Sequence, residues 1–380
     1  MRREVILLLL LGACAVPDGT RGRLQATVKY LASDELKGRR TGTPEGEIAA
    51  RWMASQMEQI GLQKVTLQKF KAKGETGPEG LNAIGFLEGA TDEWVALCCH
   101  HDHLGVKDGR IYNGADDNAS GCAVLLEVAR RCVASTEKPK RGLVFCSFDA
   151  EEILLGGSRF FVGSGLVDVT KIVALVCLDM MGGDFLPRDS TSLYVLGIEN
   201  SSELKDALGK VPVIDGLEPR RLGVNVIEPL GEIYARSDYG AFRSKKIPFV
   251  FLSTGQPWYY HKPEDDADRL NYGKMEKGVA FVHRLLLEIA SLEARPRYQK
   301  QSGITVDDLK AIAEILRRFH PEDLDLTADE ISTLNSALEK IDRIVAGGAV
   351  TSNDTEALKT IAATLMGFAS RRPKDPAQPR

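Results

Sequence analysis

Histidine is scarce in this chain, with 6 in 380 residues. An excess of charge of one sign is also lacking: Lys plus Arg number 49 and Asp plus Glu 53, a net charge of −4. That balance argues against a general nucleic-acid binder, which carries a strong basic bias. Beyond the first residues no apolar run approaches the ~20 residues needed to span a bilayer. There is no internal repeat, and none of the 7 cysteines has the CxxC spacing of a structural zinc site. What is present is ordinary globular composition, 43% hydrophobic and 27% charged, which excludes disorder, collagen and coiled coil for the bulk of the chain. Length gives a soft expectation of two to three domains, although one α/β core can reach ~250–300 residues.

The N-terminus has the character of a targeting segment. Arg2 and Arg3 precede an apolar run, Val5 to Leu11, of the length of a short signal peptide. Leu11-Gly12-Ala13-Cys14 resembles the lipobox of bacterial lipoproteins, which would put a lipid anchor to a bacterial membrane on Cys14. A plain secretory signal cut nearby is the alternative. Either way residues 1–20 are read as an export signal, placing the protein in the periplasm, on a membrane by its lipid, or outside the cell. Cys98, Cys99, Cys146 and Cys177 lie in apolar runs and Cys122 and Cys132 on a helix, so small buried hydrophobes are expected there.

Residues 22–36 and 45–60 pattern as amphipathic helices around the loop Gly38-Arg39-Arg40-Thr41-Gly42. Strand-like runs follow at 65–70, 81–88, 93–99, 143–148, 172–178, 192–197 and 248–252, with helices over 120–134 and 272–292. Alternating elements with continuous apolar strands indicate a layered α/β fold with a largely buried sheet. The composition turns polar near 295–302, and residues 303–370 carry three amphipathic helical patterns and no strand. That is read as a small C-terminal all-α unit, appended to a domain over 22–295 and followed by a disordered tail, 371–380.

The chemistry-bearing residues gather at the ends of apolar strands. His100-His101-Asp102-His103 ends one, and Asp149-Ala150-Glu151-Glu152 another. Asp179 follows a third, Gly114-Ala115-Asp116-Asp117-Asn118-Ala119-Ser120-Gly121 precedes a helix, and His261 follows two tyrosines. In an open α/β sheet such ends converge on one crevice. Carboxylates forced together there repel, and a cation is the simplest way to keep them charged. Imidazole with carboxylate suits zinc, whereas an all-oxygen set suits magnesium or calcium. Singly, an Asp-Asp pair is a helix cap and a Glu-Glu pair is solvated surface. Their joint placement is what argues for a site.

These motifs, in this order, resemble the di-zinc aminopeptidase family of bacterial leucyl aminopeptidase, in peptidase clan MH. Its distant relatives include glutamate carboxypeptidase, glutaminyl cyclase and the transferrin receptor. The resemblance runs from about Leu36 to Leu292. It implies a three-layer α/β/α fold with a mixed, largely buried central sheet of zinc-exopeptidase type. It further implies two zinc ions, one on His100 and Asp179, the other on Glu152 and His261, bridged by Asp117. Asp102 would orient the His100 imidazole, Glu151 would act as general base, and Tyr234 would stabilise the oxyanion. His101 and His103 match family variants that are not ligands. Ser237 and Asp238 are alternatively a helix N-cap, and Tyr239 stands where many members carry His. The implied substrates are peptides with a free N-terminus. A carboxypeptidase, a glutaminyl cyclase or a non-catalytic binding ectodomain are the other readings that the family admits, and the C-terminal helices have no counterpart in it.

Overall fold

A computed structural model of the chain describes residues 19–136, 138–186, 189–228, 235–300, 304–318, 320–324 and 326–351, with isolated positions from 354 to 372. Residues 1–18, read above as an export signal and including Cys14, lie outside the described residues, as do Tyr234 and the tail from 373.

Eight strands form one sheet in the order β1-β2-β6-β3-β7-β10-β8-β9. They are β1 (Gln63–Lys71), β2 (Glu79–Leu87), β3 (Trp94–His100), β6 (Gly142–Phe148), β7 (Ile172–Leu178), β8 (Ser192–Leu196), β9 (Glu218–Leu222) and β10 (Phe249–Ser253). A hairpin of β4 (Gly105–Lys107) and β5 (Arg110–Tyr112) stands apart. The inner strands β6, β3, β7 and β10 run parallel, while β1, β2 and β8 introduce antiparallel pairings. The sheet is therefore mixed, as expected. The parallel strands are buried along their whole length, which explains their continuous apolar sequences.

Helices cover both faces. One layer packs α1 (Thr20–Leu31), α2 (Pro44–Ile60), α3 (Gly121–Ala134), α5 (Ser202–Gly209) and α8 (Tyr272–Ser291) onto the sheet around Met53, Val128 and Leu285. The other contains α4 (Gly156–Ser164), α6 (Val224–Ile227), α7 (Tyr239–Arg243), α9 (Val306–Arg317), α10 (Pro321–Leu324) and α11 (Ala328–Gly347). Leu309, Ile312, Ala313 and Leu316 of α9 are buried in the same cluster as Leu222, Phe249 and Phe251 of the sheet. The C-terminal helices thus share the second core of the α/β body.

Helix α9 starts on a capping box in which Thr305 and Asp308 exchange hydrogen bonds. The sequence pattern misses β9, whose Glu-Pro-Arg-Arg-Leu stretch is polar because it is an edge strand. Among the described residues no helix is long and apolar enough to cross a membrane. The six described cysteines are free and buried.

Candidate metal centre

The strand order sets the position of the site. From β3 the chain passes through α3 on one face to β6, then through α4 on the other face to β7, on the opposite side of β3. This reversal opens a crevice at the carboxyl ends of β6, β3 and β7. His100 is the last residue of β3, Glu151 and Glu152 follow β6, Asp179 follows β7, and Asp117 lies in the loop before α3.

In that crevice the donor atoms form two groups that share Asp117. In the first, His100 Nε2 lies 3.3 Å from Asp117 Oδ1 and 3.4 Å from Asp179 Oδ1. In the second, His261 Nε2 lies 3.1 Å from Asp117 Oδ2 and 3.2 Å from Glu152 Oε1. His103 also enters this second group, with Nδ1 3.0 Å from Glu152 Oε1 and 3.7 Å from Asp117 Oδ2. The expectation that both His101 and His103 stand outside is therefore corrected for His103. His101 does turn away: its Nδ1 is 2.9 Å from the Ser147 hydroxyl, and burial pushes its pKa down to about 4.

A cation fits this constellation by an independent test. His100 Nε2, His103 Nδ1, Glu152 Oε1 and Asp179 Oδ1 are buried and have no hydrogen-bond partner. Orphaned buried polar atoms are costly, and a cation in each donor group would satisfy them, two atoms to each. The titration pattern agrees. Burial, together with Glu152 and Asp179, holds the Glu151 carboxyl well above the usual carboxylate range, against the pull of His100. Burial likewise raises Asp179, although His100 opposes it. Asp117 goes the other way: against burial, His100, His103 and His261 hold it well below the usual range. Such opposed shifts mark a charge cluster assembled for function.

The loops are fixed from behind. Asp116 accepts the backbone N–H groups of Gly182 at 2.8 Å and Gly183 at 3.0 Å, tying the Asp117 loop to the segment after Asp179. The Asp265 carboxylate accepts the N–H groups of Asp116 (2.8 Å) and Asp117 (3.0 Å). Gly114 has a positive φ of 59°, and a Cβ there would come within 2.3 Å of Asp117 O and 2.5 Å of the His103 ring, so only glycine fits. Asp102 lies beside the His100 ring, its Oδ1 3.6 Å and its carbonyl 3.3 Å from Nδ1. Its carboxylate also accepts the N–H groups of Glu151 at 3.0 Å and Glu152 at 3.2 Å, holding the turn that carries both. Asp238 occupies the N-cap position of α7, but its side chain makes no capping bond.

Sequence reasoning missed Arg39. Fully buried, its guanidinium donates to the carbonyls of His101 (2.6 Å), Leu31 (2.9 Å), Gly114 (2.6 Å), Asp117 (3.3 Å) and Asn113. It therefore clamps the backbone beside His100 together with the loop that carries Asp117. Two residues on, Thr41 donates to Asp149 at 2.7 Å and to Asp102 at 3.3 Å. The only sequence signal was a loop with two adjacent arginines next to a glycine.

The comparisons with known proteins agree with this site. The model of Peptidase family M28 matches residues 82–286, more than half of the chain. The chain belongs to peptidase family M28. A probable leucine aminopeptidase of Trichophyton verrucosum is 25% identical over 65% of the chain and 66% of its own length. The chain thus spans just under two thirds of that relative. Among solved structures, the LapA aminopeptidase of Legionella pneumophila superposes with a TM-score of 0.60 at 22% identity, covering 72% of each chain. A Zn-dependent exopeptidase from Parabacteroides distasonis superposes with a TM-score of 0.57 at 19% identity, covering 72% of this chain and 99% of the other. At such identities the superpositions establish the shared fold. The residues matched by the family model include all of the donors named above.

Proposed function

We propose that this protein is an exported zinc aminopeptidase that removes N-terminal residues from peptides. The observation that carries the reading is the pair of donor groups sharing Asp117, with Glu151 half-buried beside them and a cavity of about 150 Å³ opening beside Asp117, Glu151 and Asp179. His100 and Asp179 would hold one zinc and Glu152 the other, with His261 and His103 both within reach of the second, and Asp117 would serve both. When bound there, zinc supplies Lewis acidity at the scissile carbonyl and a lowered pKa for the attacking water. Glu151 receives the proton of the attacking water and returns it to the leaving amine. Asp102 keeps the Glu151 backbone in register through its N–H. The free α-amine of the substrate would be bound by a zinc and nearby carboxylates, which selects a free N-terminus. Tyr234 supplies the oxyanion contact, and residues 1–20 direct export, with Cys14 the anchoring position in the lipoprotein form.

Metal analysis of the purified protein beside turnover of an aminoacyl-anilide panel tests the proposal. Two zinc ions per chain and hydrolysis of free-amine substrates are expected. N-acetylated substrates should be inert. Glu151→Gln should lower kcat by about 10²–10⁴-fold, the usual contribution of a general base, with zinc content retained. Normal turnover by Glu151→Gln would remove the base assignment. Cleavage only at C-terminal residues, or cyclisation of an N-terminal glutaminyl residue instead of hydrolysis, would overturn the aminopeptidase reading.

A further inference from the structure

Helix α9 lies beyond the 82–286 segment that the family model matches, yet it lines the cavity beside the metal donors. The cavity beside the metal donors is bounded at one end by Asp117, Glu151 and Asp179, and its lining includes Ile312 and Ile315 of α9. Tyr194 of β8, Leu222 of β9 and Phe251 of β10 lie on its walls. Away from the carboxylates, Arg236 is the only charged side chain among its described lining residues. The cavity volume of about 150 Å³ is comparable to that of a dry apolar cavity that admits benzene.

The helix is held firmly in this position. Asp308 Oδ1 accepts the Gly223 N–H at 2.5 Å, and Glu314 pairs with Arg220 at 2.8 Å. Just beyond the helix, Arg318 pairs with Glu218 at 2.8 Å and Asp189 at 3.2 Å. Leu309 and Ile312 are almost wholly buried, at 0% and 2% exposure, so α9 is an anchored wall and not a loose cover.

We infer that α9 is a specificity element: Ile312 and Ile315 help to shape the pocket that receives the side chain of the substrate's N-terminal residue, and select a benzyl or branched aliphatic group. The inference rests on the aminopeptidase reading of the neighbouring donors. A basic side chain is disfavoured, because the pocket would leave its charge beside Arg236 with no acidic partner away from the metal donors. A small side chain leaves the pocket underfilled, and each missing methylene lowers kcat/KM by roughly 10-fold or more.

The test uses the full chain loaded with zinc and the anilides of Phe, Leu, Ala and Lys. The native protein should prefer Phe and Leu over Ala and Lys by about 10-fold or more. Ile312→Phe fills the pocket and should lower the Phe-to-Ala ratio of kcat/KM by about 10-fold. If that variant shows no melting transition, Ile312→Val and Ile315→Val replace it, each deleting one methyl group, and each should shift the Leu-to-Ala ratio several-fold. Ratios unchanged in the folded variants, or all substrates slowed alike, would overturn the inference. Failure of the native protein to hydrolyse any anilide would instead refute the aminopeptidase reading. The pocket is then judged by calorimetric binding of L-phenylalanine against L-alanine, where an affinity ratio unaltered by the α9 variants also overturns it.

Discussion

Arg39→Met removes the guanidinium that clamps five backbone carbonyls while keeping much of the buried aliphatic volume. Gly114 O keeps a second contact, from the Ala119 N–H at 3.3 Å. The carbonyls of His101, Leu31 and Asn113 lose their guanidinium partner inside the protein. An unsatisfied buried acceptor costs ~1–3 kcal/mol, partly offset because a buried cation is no longer desolvated. A net loss of about 3–5 kcal/mol is expected by that reasoning. At ~2–4 °C per kcal/mol for a domain of this class, the melting temperature should fall by roughly 10 °C. Arg39→Lys keeps the charge but offers three donors on a compact head in place of a planar fork of five, so it should fall between the two. Because the clamp positions the backbone beside His100 and Asp117, zinc affinity should also drop, by ~10–100-fold as for other supporting contacts of metal sites. Thermal unfolding, followed by metal titration on the folded fraction, reads both effects. A melting temperature within about 2 °C of the native value would refute the clamp argument, since the expected shift is several times larger.

Asp117→Asn halves the charge balance at the shared position and should reduce bound zinc below two per chain; unchanged stoichiometry by elemental analysis would deny it a bridging role. Away from the metal centre, burial raises the pKa of Glu199 from 4.5 to about 7, against the Val224 N–H that it accepts at 2.7 Å. The folded state therefore binds this proton more tightly than the unfolded chain. Its stabilising contribution is complete below about pH 4.5 and is lost as pH rises through about 7. Glu199→Gln should flatten the decline in melting temperature between pH 5 and pH 8, and a parallel decline in variant and native protein would show that another group is responsible.

The local chemistry of this chain was legible in the order of its residues. Buried parallel strands must be apolar along their whole length, so β3, β6, β7 and β10 announce themselves. Polar residues that break those runs, namely His100, the Glu151-Glu152 pair and Asp179, mark the strand ends where a crevice forms. Tertiary structure decided what depends on contacts distant in sequence. His103 joins the donors only because the turn after β3 brings its ring against Glu152. Arg39 gains its role from carbonyls 62 and more residues away. The polar edge strand β9 lacks a hydrophobic signature, and it is against this strand and its neighbours that Ile312 packs, beside the reaction centre. Sequence periodicity records which face of an element is buried, but not which other element covers it.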